Sequence, residues 1–102
     1  MIVINGERWR VKIVSPSHPV LLYKTGIPAF GCCDDVTKII YLNQTLPPSQ
    51  MKQVLCHEIL HAVMYSYDVD LEDEVEEITA NIMMEYGDEI LQLTNTTFDK
   101  LK

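Results

Sequence analysis

The run His57-Glu58-Ile59-Leu60-His61 constrains this chain more than any other feature. Two imidazoles stand four residues apart, with a carboxylate beside the first. On a helix, positions i and i+4 lie one turn apart on the same face, so both rings can reach one point in space. The flanking residues supply that helix. Pro47-Pro48 suit a first helical turn, where a missing N–H costs nothing. From about Ser49 to Tyr67 the residues Val54, Leu55, Ile59, Leu60, Ala62, Val63 and Met64 fall on nearly every side. A helix apolar all round is a buried central one. A His-Glu-His set is exceptional in such a helix, which favours function over a solvated face. Two ring nitrogens on one cation, with a carboxylate next to them, are the donor arrangement of zinc hydrolases.

A catalytic zinc takes three protein ligands plus water, so a third donor is needed downstream. Asp68 to Asp70 reads as a break. Asp70 is placed to cap a second helix, and the acids after it suit a helix N-terminus. That helix is expected to run to about Leu93, with Val75, Ile78, Ile82, Tyr86 and Ile90 as its buried stripe. Asn95-Thr96-Thr97 is expected to end it, leaving Phe98 to Lys102 as a short tail, and the segment from Asn95 to Lys102 could cover the cleft. The short break forces the second helix to return antiparallel, so its early acids pass close to His57 and His61. Glu74, Glu77 and Asn81 share one face. Glu77, beside the stripe at Ile78, is the favoured ligand, with Glu74 next. Asn81 is placed to orient an imidazole through its other ring nitrogen. Glu72, Asp73 and Glu76 read as solvated acids that complement the helix dipole.

The first half reads as strands and turns. Ile2-Val3-Ile4, Asn5-Gly6 and the alternating Trp9-Arg10-Val11-Lys12-Ile13-Val14 suggest a hairpin, with Trp9 as a core anchor. Prolines and glycine between Ser15 and Phe30 indicate an irregular excursion. Within it Leu21-Leu22-Tyr23 is a short strand or a core anchor, and His18 reads as a surface histidine. Gly31-Cys32-Cys33-Asp34 and Lys38-Ile39-Ile40-Tyr41-Leu42 read as two more strands, turning near Asp34-Asp35. The expected fold is α+β. A small twisted antiparallel or mixed sheet packs on the motif helix, with a second helix antiparallel to it, in a single domain over residues 1–102.

Composition narrows the function classes. The net charge of −7 argues against nucleic acid and against an anionic membrane, both of which require a basic face. No leader and no spanning segment are evident. Three cysteines, two of them adjacent, make neither a disulfide framework nor a zinc knuckle, so a cytoplasmic chain with reduced thiols is expected. Cys56 reads as a small buried apolar residue.

The segment from His57 to Asn81 resembles a gluzincin metallopeptidase. After the first motif comes Glu77-Ile78-Thr79-Ala80-Asn81, similar to the Glu-x-x-Ala-Asn/Asp pattern in which the glutamate is the third ligand. The chain is similar to the ImmA/IrrE-type metallopeptidases of phages and mobile elements, and in size to the minigluzincins. Leu60 stands where the family often has glycine, and the 102 residues contain no DNA-binding module of the kind many relatives carry. The resemblance implies a minimal zincin fold and a Zn²⁺ cofactor. It also implies a protein or peptide substrate, of which a repressor-like protein is one kind. It further implies an edge strand, from Cys32 to Asp34 or from Lys38 to Leu42, that pairs with extended substrate.

The expected reaction is peptide-bond hydrolysis. His57, His61 and Glu77 hold zinc, and Glu58 is the general base that takes the proton of the attacking water and delivers it to the leaving amine. Tyr65, Tyr67, Tyr86 and His18 are candidates for an auxiliary group at the oxyanion. The alternative function is a zinc-binding phage or prophage protein that is latent or silent and acts through protein interaction.

Overall fold

The computed structural model describes residues 1–22 and 27–102. Tyr23 and Gly26, which belong to the expected excursion, lie outside the described residues. The fold is α+β, a four-stranded mixed sheet with two helices.

Strands β1 (Ile2–Ile4) and β2 (Glu7–Val14) form the expected antiparallel hairpin. Asn5 and Gly6 take positive φ values of 49° and 77°, the conformation a two-residue turn matched to strand twist demands and that Asn-Gly tolerates. β3 (Gly31–Asp34) and β4 (Ile39–Asn43) form a second antiparallel pair. Asp34 closes their turn, its Oδ1 accepting the Val36 and Thr37 N–H groups at 3.0 and 3.3 Å. The strand order is β1-β2-β4-β3, with β2 and β4 parallel. Gly31 starts β3 at the same end of the sheet where Val14 ends β2, with room for one strand between them, and β3 itself carries the chain back to the far end, so β4 fills the gap parallel to β2. Leu21 in its Pro19–Leu21 turn is fully buried, so it is the anchor and not a strand. His18 caps that turn through Nδ1 and packs its ring on Tyr41, with centroids 5.5 Å apart.

Helix α1 (Pro48–Ser66) lies across the sheet. Trp9, Ile40, Leu42, Leu46, Val54 and Ala62 form the buried core between them. Ser66, at its last turn, ties the first hairpin to α1. Trp9 Nε1 donates to its hydroxyl at 2.9 Å and Asn5 Nδ2 to its carbonyl at 2.8 Å. Gly31 lets β3 approach α1 closely, because a Cβ there would lie 2.9 Å from Val54 Cγ1 and 3.2 Å from Glu58 Cγ.

Helix α2 (Asp73–Leu101) returns along α1, and three expectations about it are corrected. It starts after Glu72 without a side-chain cap, so Asp70 does not cap it. It does not stop at Leu93. The hydroxyls of Thr94 and Thr96 fold back onto the carbonyls of Ile90 and Gln92, so these side chains find their partners within the helix. Its packed face is not the Val75–Ile90 stripe, whose residues are all exposed. Ala80 and Gly87 are the buried residues, and small side chains there allow close approach to α1. Cys56 donates its S–H to the Met83 carbonyl in this interface.

Candidate metal centre

His57 and His61 project from one face of α1 at successive turns, as i, i+4 spacing requires. Their rings meet edge to face with centroids 4.9 Å apart, and the two Nε2 atoms are 3.2 Å apart. From α2, Glu77 reaches the same point. Its Oε2 lies 3.3 Å from His57 Nε2 and its Oε1 2.7 Å from His61 Nε2. Among the described residues, these three form the group whose ligand atoms lie within 4.8 Å of one another. Glu74 is exposed and is not part of it.

This donor set fits a tetrahedral cation. Bonds of about 2.0–2.1 Å imply donor–donor edges of about 3.3 Å. The two Nε2 atoms, 3.2 Å apart, are within 0.1 Å of that value, and Glu77 brings a different oxygen to each ring, Oε2 at 3.3 Å and Oε1 at 2.7 Å. Two imidazoles and one carboxylate are also the chemistry of catalytic zinc sites, which keep a position open.

The His61 ring is held from behind. His61 Nδ1 lies 2.5 Å from Glu76 Oε2, a charge-assisted contact that puts the proton on Nδ1 and leaves Nε2 free to donate its lone pair. The Glu76 side chain is only 16% exposed, which corrects the reading of Glu76 as a solvated acid. The packed face of α2 runs through residues 76, 80 and 87, so Glu76 points inward. The small residues Ala80 and Gly87 were the signal that could have revealed it. Asn81 lines the same cavity wall as His57, and its side chain favours the charged form of that ring. Burial lowers the His57 pKa, opposed by the Glu77 charge and reinforced by His61, so the neutral, metal-competent ring is favoured.

Glu58 is buried beside the pair, its Oε1 4.0 Å from His57 Nε2. Its Oε2 has no hydrogen-bond partner among the described residues. Burial pushes its carboxyl up to about 7, with the His61 charge opposing and Glu77 adding to the shift. A carboxyl poised near neutrality is suited to exchange protons at physiological pH.

Two cavities flank Glu58. One, of about 390 Å³, is lined by Cys32, Cys33, Tyr65, Asp73 and Glu76 with the site residues. The other, about 200 Å³, is lined by Phe30, Gly31, Val54, Asn81 and Met84 beside His57 and Glu58. Strand β3 contributes to both and is an edge of the sheet. β4 is hydrogen-bonded on both sides, so of the two expected pairing segments only Cys32 to Asp34 has an open edge. Burial raises the pKa of Cys32 and Cys33, which favours their thiol form in the metal-free chain. Tyr65 lines the larger cavity, whereas Tyr67, Tyr86 and His18 line neither. Residues 95–101 are the last turns of α2 and line neither cavity, so they do not form the expected cover.

A small mixed sheet, a helix bearing two convergent histidines and a second helix bearing a glutamate define a minimal zincin-like protein. The family model of the IrrE N-terminal-like domain (peptidase M78) matches residues 18–98, and the chain belongs to that family. No curated protein and no solved structure matches it. Among the described residues, no helix is long and apolar enough to cross a membrane.

Proposed function

We propose that this protein is a zinc-dependent metallopeptidase of gluzincin type, with His57, His61 and Glu77 as metal ligands and Glu58 as general base. The convergence of both Nε2 atoms and the Glu77 carboxylate on one point carries this reading, and membership in a peptidase family supports it. Zinc held there would supply Lewis acidity, activating a water and polarising the scissile carbonyl.

The chain's own residues do the rest. Glu76 fixes the His61 tautomer and Asn81 steadies His57, so both rings stay aimed without reorganisation. Glu58, with an oxygen free of hydrogen bonds among the described residues, accepts a proton from water as its oxygen bonds to the carbonyl carbon. It returns that proton to the amine nitrogen as the C–N bond breaks. The open edge of β3 binds an extended peptide by adding it as a strand. Tyr65, which lines the larger cavity, is the candidate to donate toward the carbonyl oxygen as charge develops there. The substrate is a protein or peptide, and the family resemblance points to a repressor-like one.

The test is cleavage of an unfolded protein by the zinc-loaded wild type and by Glu58→Gln. The wild type is expected to cleave, and the variant to keep its zinc and lose activity by about 10²–10⁴-fold. A variant as active as the wild type would remove Glu58 from its role. Zinc binding without cleavage by the wild type would favour a silent protein that acts by interaction.

A further inference from the structure

The face of α2 opposite α1 carries Val75, Ile78, Ile82, Tyr86, Ile90 and Leu93, at spacings of three and four residues. Each is between 44 and 58% exposed. The spacing draws one continuous apolar stripe along the helix, and among the described residues none covers it. Lys52 of α1 pairs with Asp88 at 3.2 Å, and Pro48 begins α1 one turn earlier. The last turns of α2 therefore extend past α1, and every residue from 91 to 102 is exposed. A few helical turns without packing are marginal in water, so this overhang also requires a partner.

We propose that α2 is a homodimer interface, in which two copies pair antiparallel along this stripe about a two-fold axis near Tyr86. Surface area supports a second copy. With Leu101, the stripe exposes on the order of 700 Å² per chain, close to the roughly 800 Å² each partner contributes to a standard interface. Charge selects the direction. Glu72, Asp73 and Glu74 stand at one end of α2, and Lys100 and Lys102 at the other, Lys102 3.8 Å from Asp99 of its own helix. An antiparallel pair sets each lysine end beside the partner's acidic end and opposes the helix dipoles. A parallel pair would stack the acids. The overhang of each copy then rests along the first turns of its partner's α2. A two-fold interface is self-complementary, and it lies on the face of α2 away from Glu77, so both metal centres stay open.

The test is solution mass by light scattering, with engineered cysteine crosslinking. At a concentration on the order of 100 µM, the wild type is expected at twice its 11.7 kDa chain mass. Ile82→Glu is expected at the single-chain mass, with unchanged circular dichroism and zinc stoichiometry. Val36→Glu, a change at an exposed residue in the β3–β4 turn, is expected to stay dimeric. Tyr86→Cys, near the axis, is expected to crosslink to itself, and Ile78→Cys is not. A wild type of single-chain mass, a dimer unaffected by Ile82→Glu, or equal self-crosslinking at both positions would overturn the proposal.

Discussion

Replacing Glu76 tests how the site is held together, because the residue touches no proposed metal position. Its Oε2 lies 2.5 Å from His61 Nδ1 and its side chain is 16% exposed, so solvent screens the contact only weakly. Carboxylates that orient a metal-bound histidine are worth about 10–100-fold in metal affinity, equivalent to about 1.4–2.8 kcal/mol. Glu76→Ala removes both charge and hydrogen bond and should fall near the upper end. Glu76→Gln keeps an acceptor oxygen and loses only the charge, so about 10-fold is expected. Glu74→Gln, on an exposed residue outside the donor group, should be silent. Zinc affinity measured by competition with a chromophoric chelator separates these outcomes. Equal affinity in Glu76→Ala and wild type would refute the idea that this contact orients His61, as would an equal loss in Glu74→Gln.

Further consequences can be measured on the metal-free protein. The Glu58 carboxyl titrates at about 7 in the fold against 4.5 for an ordinary glutamate, so between these values the folded chain holds a proton that the unfolded chain has lost. Stability from this group is therefore full below about pH 4.5 and falls as pH rises to about 7, by about 3 kcal/mol in all. Glu58→Gln should be more stable than wild type near pH 8 and equal to it near pH 4 in denaturant titrations. The same difference at both pH values would contradict the burial argument. Gly31→Ala puts a Cβ 3.1 Å from the Tyr41 carbonyl oxygen, which cannot swing aside. A loss of about 1–3 kcal/mol is expected, read as a melting temperature lower by roughly 4–8 °C per kcal/mol. Trp9→Phe breaks the bond to the buried Ser66 hydroxyl and leaves a void. It should cost about 2–4 kcal/mol in the same titration, and a neutral result would mean that Trp9 is not an anchor.

The parts of the molecule that were legible in the sequence are those with a short repeat and one dominant force. The i, i+4 histidines, the all-round apolar α1 and the Asn-Gly hairpin are local patterns, and the structure carries each of them. Glu77 was legible through the Glu77-Ile78-Thr79-Ala80-Asn81 pattern and not through its phase, because the stripe at Ile78 that favoured it lies on the exposed side of α2. The sheet order was not, since β4 inserts between β2 and β3 and no periodic signal marks that choice of partners. Glu76 was misplaced for a specific reason. Hydrophobic periodicity assigned the buried side of α2 to Val75, Ile78, Ile82, Tyr86 and Ile90, yet the side that packs on α1 is marked by small residues, Ala80 and Gly87. Periodicity finds an apolar face and does not say which surface covers it. The end of α2 was missed because Asn95-Thr96-Thr97 has low helix propensity, whereas the Thr94 and Thr96 hydroxyls satisfy carbonyls within the helix.

X-ray absorption at the zinc edge of the loaded protein tests the central claim most directly. One zinc per chain is expected, with two imidazoles and oxygen donors at about 2.0–2.1 Å, and the imidazole signal should weaken in His57→Ala and in His61→Ala. A sulfur shell at about 2.3 Å, which would implicate Cys32 or Cys33, or the absence of stoichiometric zinc, would contradict it.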